Sequence, residues 1–61
     1  MKTYITVECR LKDKDEDWGM VIGYPVDAKG VNAAMDSAFE YMRVNEKVHK
    51  NIEYRLGEKR F

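Results

Sequence analysis

The first part of the chain alternates between apolar and polar side chains. From residue 3 to residue 12, the odd positions form one face, and the even positions, which include Glu8 and Arg10, form the other. Strict alternation over this length is typical of a β-strand with one buried face. The pattern therefore predicts a first strand, β1, over residues 3–12.

A second alternating stretch follows at residues 18–26, after a polar, aspartate-rich segment at residues 13–17. Such a segment between two strand patterns predicts a hairpin loop that leads into a second strand, β2. The alternation predicts that Trp18 and Met20 lie on the same, helix-covered face of β2. Glycines inside β2 are typical of a bulge, and Pro25, which cannot donate to a ladder, predicts an edge strand or a strand end.

Residues 27–44 have the spacing of an amphipathic helix. One stripe holds Val31, Ala34, Met35, Ala38 and Met42. We expect Asp27 to be the N-cap, because its carboxylate can accept a hydrogen bond from a free amide of the first turn. Asn45 is the predicted C-cap, because asparagine tolerates the left-handed conformation.

Alternation returns at residues 52–56 and predicts a third strand, β3, which Gly57 ends or bends before a polar tail at 58–61. The order β-β-α-β predicts a single small α+β domain over residues 1–61. A three-stranded sheet in order 2-1-3, with β1 central, carries the helix on one face. Placing β3 beside β2 is the alternative, but Pro25 makes β2 a poorer two-sided partner.

The opposite face of the sheet is predicted to stay open. It carries Tyr4, Thr6, Glu8, Arg10, Val21, Glu53 and Arg55. Cross-strand ion pairs between its glutamates and arginines are the structural interpretation, because opposite charges stabilise neighbouring strands. A recognition surface is the functional interpretation. Two unpaired edge strands also remain, and the sequence leaves open whether they pair two copies into a homodimer.

The charge balance, the cysteine count and the hydropathy pattern limit the classes of function that we expect. The 61 residues carry eleven basic and eleven acidic side chains, and this zero net charge argues mildly against phosphate neutralisation as the main activity. A single cysteine excludes an internal disulfide and favours a reducing compartment or indifference to redox conditions. No stretch has the pattern of a signal peptide or a membrane span, so a cytoplasmic protein without membrane contact is expected.

Two sets of side chains have the residue types that a chemical site would need. Asp13, Asp15 and Asp17 have the spacing that begins a calcium loop, but Trp18 and Tyr24 stand where that loop needs glycine and glutamate. A solvated hairpin is therefore expected. Cys9 and His49 are predicted on a strand and in a loop, with nothing to hold them together as nucleophile and base. We expect a non-enzymatic protein with no catalytic, cofactor or metal site.

The layout as a whole resembles small phage-encoded proteins that inhibit a host complex, with a three-stranded sheet, one helix introduced by a turn and Asp27, and a short charged tail. It also resembles the N-terminal half of strand-hairpin-strand-helix antitoxins, although their proline-rich turn is replaced here by residues 23–27. The resemblance implies a non-catalytic module that blocks or redirects a larger host machine. It assigns no functional residue.

The sequence therefore predicts a module that binds and inhibits or modulates a larger host protein or complex. The predicted contact residues are Tyr4, Glu8, Arg10, Asp13, Asp15, Asp17 and Arg55. The alternative is a small nucleic-acid-binding regulator, because an aromatic and two arginines on a sheet face partly match a single-stranded RNA platform. Acidic residues interrupt that surface, so nucleic acid is the second choice.

Overall fold

Three strands and one helix make up the computed structural model, which describes residues 2–61. They are β1 (Thr3–Leu11), β2 (Gly19–Pro25), α1 (Val31–Val48) and β3 (Ile52–Arg60). The strands form one sheet in the order β2-β1-β3, and β1 is antiparallel to both neighbours. The predicted α+β fold with β1 in the centre is confirmed.

The third strand is longer than predicted. It continues through Gly57 to Arg60, and all nine of its residues pair with β1. Beyond the strand ends, the backbones of Lys2 and Phe61 exchange hydrogen bonds of 2.7 and 2.8 Å. The polar tail is thus strand, because backbone pairing with β1 holds it whatever its side chains are.

A bulge in β2 changes which side chains face the helix. Val7 lies opposite Ile22 and Glu8 lies opposite Met20, so Val21 is an extra residue without a partner on β1. One extra residue reverses the alternation on the hairpin side of the bulge. Met20 is therefore on the face away from the helix, where 54% of it is exposed. The prediction that Trp18 and Met20 lie on the helix-covered face was wrong.

The helix begins four residues later than predicted. Gly30, with φ of 91°, is the N-cap residue and provides no side-chain hydrogen bond. Asp27 instead closes the preceding turn, because its carboxylate accepts from the Lys29 amide at 2.8 Å and its carbonyl accepts from the Gly30 amide at 2.9 Å. The Asp27 N-cap prediction was wrong, and a positive φ at residue 30 accounts for the glycine there.

The helix also ends one turn later than predicted. Asn45 lies inside it, where the side-chain amide donates to the Tyr41 carbonyl at 2.8 Å. The Asn45 carbonyl accepts from the backbone amide of His49, the observed C-cap residue, at 2.8 Å. The prediction of Asn45 as C-cap was wrong, because the helix continues for a further turn that backbone hydrogen bonds hold and that its polar sequence does not reveal.

The core between helix and sheet is small. Among residues 2–61, its buried apolar side chains are Ile5, Val7, Ala34 and Ala38. The two alanines let α1 approach β1 closely, and larger, partly buried side chains surround this centre. Burial raises the pKa of the nearby Tyr54 phenol, with further contributions from Cys9, Tyr41 and Glu46.

The sheet face away from the helix, called the uncovered face from here on, has no second layer over it within residues 2–61. Its centre is nevertheless buried, since Thr6 and Glu8 are at most 9% exposed. Thr6 lies between Gly23 and Gly57, and its hydroxyl has no hydrogen-bond partner among the residues described. Side chains of neighbouring residues pack over these two glycines. The expectation of a fully open face was wrong at this centre.

Gly57→Ala tests this close packing. A methyl group at residue 57 would lie 2.8 Å from the Thr6 hydroxyl oxygen and 3.2 Å from the Glu8 carboxyl carbon. We expect the free energy of unfolding to fall by about 1–3 kcal/mol, because the tightly packed neighbours must shift. Urea denaturation followed by circular dichroism measures it.

Gly19→Ala is the matched control, because a methyl group there meets no atom within 4 Å. We expect it to change the free energy of unfolding by less than about 0.5 kcal/mol. Equal losses in the two variants would contradict the role given to Gly57.

Candidate functional site

A pair of ionic contacts crosses from β1 to β3 on the uncovered face. Arg55 Nε donates to Glu8 Oε1 at 2.7 Å, and Arg10 Nε donates to Glu53 Oε1 at 2.5 Å. Each arginine stands directly opposite its glutamate in the ladder. The predicted cross-strand ion pairs are therefore confirmed.

The two pairs differ in exposure. The Glu8 side chain is only 11% exposed, whereas the Arg10 and Glu53 side chains are each 33% exposed. A carboxylate as buried as that of Glu8 is costly without a partner, so its bond to Arg55 matters more than an ordinary surface ion pair.

Trp18 lies over this ionic cluster. The guanidinium carbons of Arg10 and Arg55 are 4.5 and 4.4 Å from the centroid of the Trp18 ring. Both distances are within the range of cation–π attraction. The bulge in β2 brings the ring here, because it reverses the alternation of the residues before Val21 and so puts Trp18 on the uncovered face. We call Trp18, Arg10, Arg55, Glu8 and Glu53 the Trp18 patch.

Each charged group in the Trp18 patch is paired with an opposite charge within the patch. Two guanidinium groups face two carboxylates, so the four charges cancel. The same two groups contact the indole ring, which fixes its position without covering all of it, since Trp18 remains partly exposed. Met20, on the same face, adds apolar surface opposite Glu8. The patch therefore offers a positioned aromatic and paired arginines in place of a free positive charge.

The aspartates of the predicted site lie next to this patch. Asp13, Asp15 and Asp17 are exposed in the loop between β1 and β2, and Asp17 directly precedes Trp18. Residues 13–17 contain four acidic side chains and one lysine. We call this segment the acidic hairpin. No group of three or more metal-ligating side chains converges within residues 2–61.

Tyr4 is separated from the other predicted contact residues. It lies at the opposite end of β1, where its ring meets the ring of Phe61 edge to face, with the centroids 5.6 Å apart. Six residues of extended strand, about 20 Å, separate it from Arg10. The structure thus brings Glu8, Arg10 and Arg55 together and leaves Tyr4 outside the Trp18 patch.

Sequence reasoning missed Trp18 as a member of this face. The glycines of β2 were a signal for a bulge, but they do not say at which residue the alternation reverses. Only pairing with β1 shows that Val21 is the extra residue. One signal existed in advance, because a tryptophan next to an acidic loop is a candidate anchor for a protein partner once it is not in the core.

The clefts elsewhere are shallow. One of about 520 Å³ runs between α1 and β2 and is lined by Tyr24, Tyr41 and Val44 among others. Cys9 is a free, half-buried thiol opposite Tyr54, and His49 is exposed after the helix. No helix within residues 2–61 has the length and apolarity to cross a membrane.

Comparisons with known proteins leave the geometry as the basis for any functional argument. No protein-family model, curated protein or solved structure matches the chain. The resemblance to phage-encoded host inhibitors therefore stays a prediction from layout.

Arg55→Met tests the ionic part of the Trp18 patch. It leaves the Glu8 carboxylate buried without its partner, so we expect the free energy of unfolding to fall by about 1–3 kcal/mol. Arg60→Met is the control, because Arg60 and Glu58 also form an ion pair, but their side chains are 67% and 50% exposed. We expect a loss of less than about 0.5 kcal/mol there. Urea denaturation measures both; losses of equal size would contradict the special position of Glu8.

Proposed function

We propose that this protein is a non-catalytic binding module that occupies a surface on a larger protein and thereby inhibits or modulates it. The observation that supports this most is the Trp18 patch on a sheet face without a second layer. Tryptophan, arginine and methionine are enriched at the centres of protein interfaces. Here the ring is already held in place, so binding costs little further side-chain ordering.

The charges next to the Trp18 patch indicate which kind of surface the partner would present. The acidic hairpin carries four carboxylates and one ammonium beside the Trp18 patch. A complementary surface would hold an apolar pocket for the indole ring and basic side chains along the rim that faces the hairpin. Such charges chiefly speed association and set orientation, whereas the buried aromatic supplies affinity. The resemblance in layout adds the class of partner: a host protein or complex in the cytoplasm.

The alternative, a nucleic-acid-binding regulator, depends on Arg10 and Arg55 contacting phosphates. Both guanidinium groups are already bonded to carboxylates, at 2.5 and 2.7 Å. A phosphate would have to displace these carboxylates or approach within a few ångströms of them. This geometry favours the protein-binding proposal over the alternative.

Trp18→Ala tests the proposal with the tagged protein as bait in a host lysate. The wild-type protein is expected to retain a defined host protein, and the variant is expected to lose it. With the purified partner, the dissociation constant should rise about 30-fold or more, as for an anchor residue. Charge reversal at Asp15 and Asp17 should mainly slow association, and should do so less at high salt.

Val44→Ala is the control bait, because Val44 is an exposed apolar residue on α1, in the other layer of the molecule. It should retain the partner as the wild type does. Circular dichroism establishes that each variant is folded. Unchanged retention by folded Trp18→Ala would overturn the Trp18 patch as the contact surface.

The alternative has its own test. A nucleic-acid-binding protein would bind labelled single-stranded RNA or DNA at low salt, with an affinity that falls steeply as salt rises. We expect no such binding by fluorescence anisotropy. Salt-dependent binding that Arg10→Gln weakens would replace the protein-binding proposal with the alternative.

A further inference from the structure

The outer edge of β3 carries a regular row of free backbone groups. In its ladder with β1, hydrogen bonds join Lys2 to Phe61 at one end and Lys12 to Asn51 at the other. Bonded pairs alternate along an antiparallel ladder, so the odd residues of β3 point their amides and carbonyls toward β1. The even residues from Tyr54 to Arg60 point theirs outward, and no strand pairs with them within residues 2–61.

The outer edge of β2 is different. Its bulge at Val21 interrupts the strand, and Pro25 has no amide to donate. The Val26 amide donates to the Thr3 carbonyl at 2.9 Å, so the alternate residues Gly23 and Pro25 are the ones that face outward. Bulges and prolines are devices that protect edge strands from pairing. One edge of the sheet is therefore protected, and the other is free from Tyr54 to Arg60, because the Ile52 amide donates to the His49 carbonyl at 3.4 Å.

We propose that two copies of this chain pair through β3, antiparallel and about a two-fold axis at Leu56, to form a continuous six-stranded sheet. Leu56 is the middle residue of Ile52–Arg60, so this register pairs all nine residues of each strand. The inference does not depend on the proposed function, because it uses the backbone edge of the sheet and leaves the Trp18 ring uncovered, although Glu53 and Arg55 of the patch lie on the pairing strand.

The pairing of charged side chains favours this register over the two registers whose axis is shifted by one residue. On the uncovered face it places Glu53 opposite Lys59 of the second copy and Arg55 opposite Gly57, with no like charges directly opposed. Centring the axis on Arg55 would oppose two copies of Arg55, and centring it on Gly57 would oppose Arg55 and Lys59. Like charges directly opposite across strands are destabilising.

The helix layer is consistent with the same axis. Glu46 lines a cleft with Ile52 and Tyr54 of β3, so this side of α1 faces β3. Phe39, seven residues earlier, lies on the same side of the helix. It is at the middle of α1, as Leu56 is at the middle of β3, and it is 50% exposed. A large apolar side chain is thus directed toward the proposed axis.

The distance between the two helices of the proposed dimer leaves a gap in which the Phe39 side chains would lie. α1 packs over β1, and three strand spacings, about 14 Å, would separate the two β1 strands of the dimer. Helices in direct contact lie about 8–10 Å apart, so large side chains must fill the gap. The two Phe39 rings, above the paired Leu56 side chains, meet that need.

The monomer also has surface to cover. Its accessible surface is 4552 Å², about a tenth more than a folded monomer of this mass typically has. Within residues 2–61, only four apolar side chains are buried in its core. Small domains of this kind commonly gain stability by association.

Sedimentation equilibrium of the full chain tests the proposal. The expected species has twice the chain mass of 7.2 kDa. Phe39→Glu is expected to raise the dimer dissociation constant about tenfold or more, because it puts a charge at the two-fold axis. A wild-type protein that is monomeric across the whole concentration series would overturn the proposal.

Val44→Glu is the matched control. Val44 is also 50% exposed, but it lines the cleft on the β2 side of α1 with Tyr24. It should leave the dimer dissociation constant unchanged. Equal weakening by the two variants would overturn the assignment of the interface to the β3 side.

Glu58→Pro targets the backbone at the edge. It removes an amide that points away from β1, so the sheet inside each copy is kept while pairing between copies is lost. Circular dichroism should show a folded chain, and sedimentation should show a monomer. A folded Glu58→Pro variant that still dimerises as the wild type does would overturn pairing through β3.

A disulfide tests the register. In a Cys9→Ser background, Leu56→Cys places two cysteines directly opposite each other, with Cα atoms about 5.5 Å apart and within disulfide range. In the same background, Glu58→Cys places the two Cα atoms about 14 Å apart, beyond that range. Oxidation should cross-link only the first, as gel electrophoresis without reductant will show. Cross-linking of Glu58→Cys alone would overturn the register.

Discussion

The hydrogen-bonded pairing of β1 with two neighbours at once is the constraint on which the rest of the structure depends. The backbone groups of the even residues of β1 form hydrogen bonds with β3, and those of the odd residues form hydrogen bonds with β2. Both edges of β1 are therefore paired. A single helix then covers the apolar face of this strand through Ala34 and Ala38. No element is left within residues 2–61 to cover the other face, and two outer edges remain.

The bulge at Val21 determines what the uncovered face presents. Without the extra residue, strict alternation would direct Trp18 and Met20 toward the helix. With it, Trp18 lies over Arg10 and Arg55, and the ionic pairs of those arginines hold the ring. The same bulge interrupts the outer edge of β2. One local irregularity therefore builds the candidate site and protects one edge from pairing.

The two proposals share β3, which carries Glu53 and Arg55 of the Trp18 patch. They are compatible because the dimer uses the backbone edge of this strand, whereas the patch uses side chains on the uncovered face. A six-stranded sheet made through β3 would carry two Trp18 patches on one surface, with an acidic hairpin beside each. Two such patches could engage a symmetric partner with a gain from effective concentration, provided that its sites match their separation. Each proposal nevertheless stands on its own observations: the patch on Trp18 and its arginines, the dimer on the free edge of β3.

The sequence by itself determined the element order, the central position of β1 and the identity of most of the core. Alternation over residues 3–12 and helical spacing from Val31 to Met42 are local signals that survive folding, because each element buries one face. The ion pairs of Glu8 and Arg10 also followed from strand order, since charges on adjacent strands of one face must meet.

Only the tertiary structure decided where the alternation of β2 reverses, how far β3 extends and which residues cap the helix. Trp18 moved to the uncovered face because pairing with β1 places the extra residue at Val21. Polar residues 58–60 became strand because β1 had backbone groups to bond there. These outcomes depend on partners distant in the chain, and neither propensity nor periodicity within a segment contains that information.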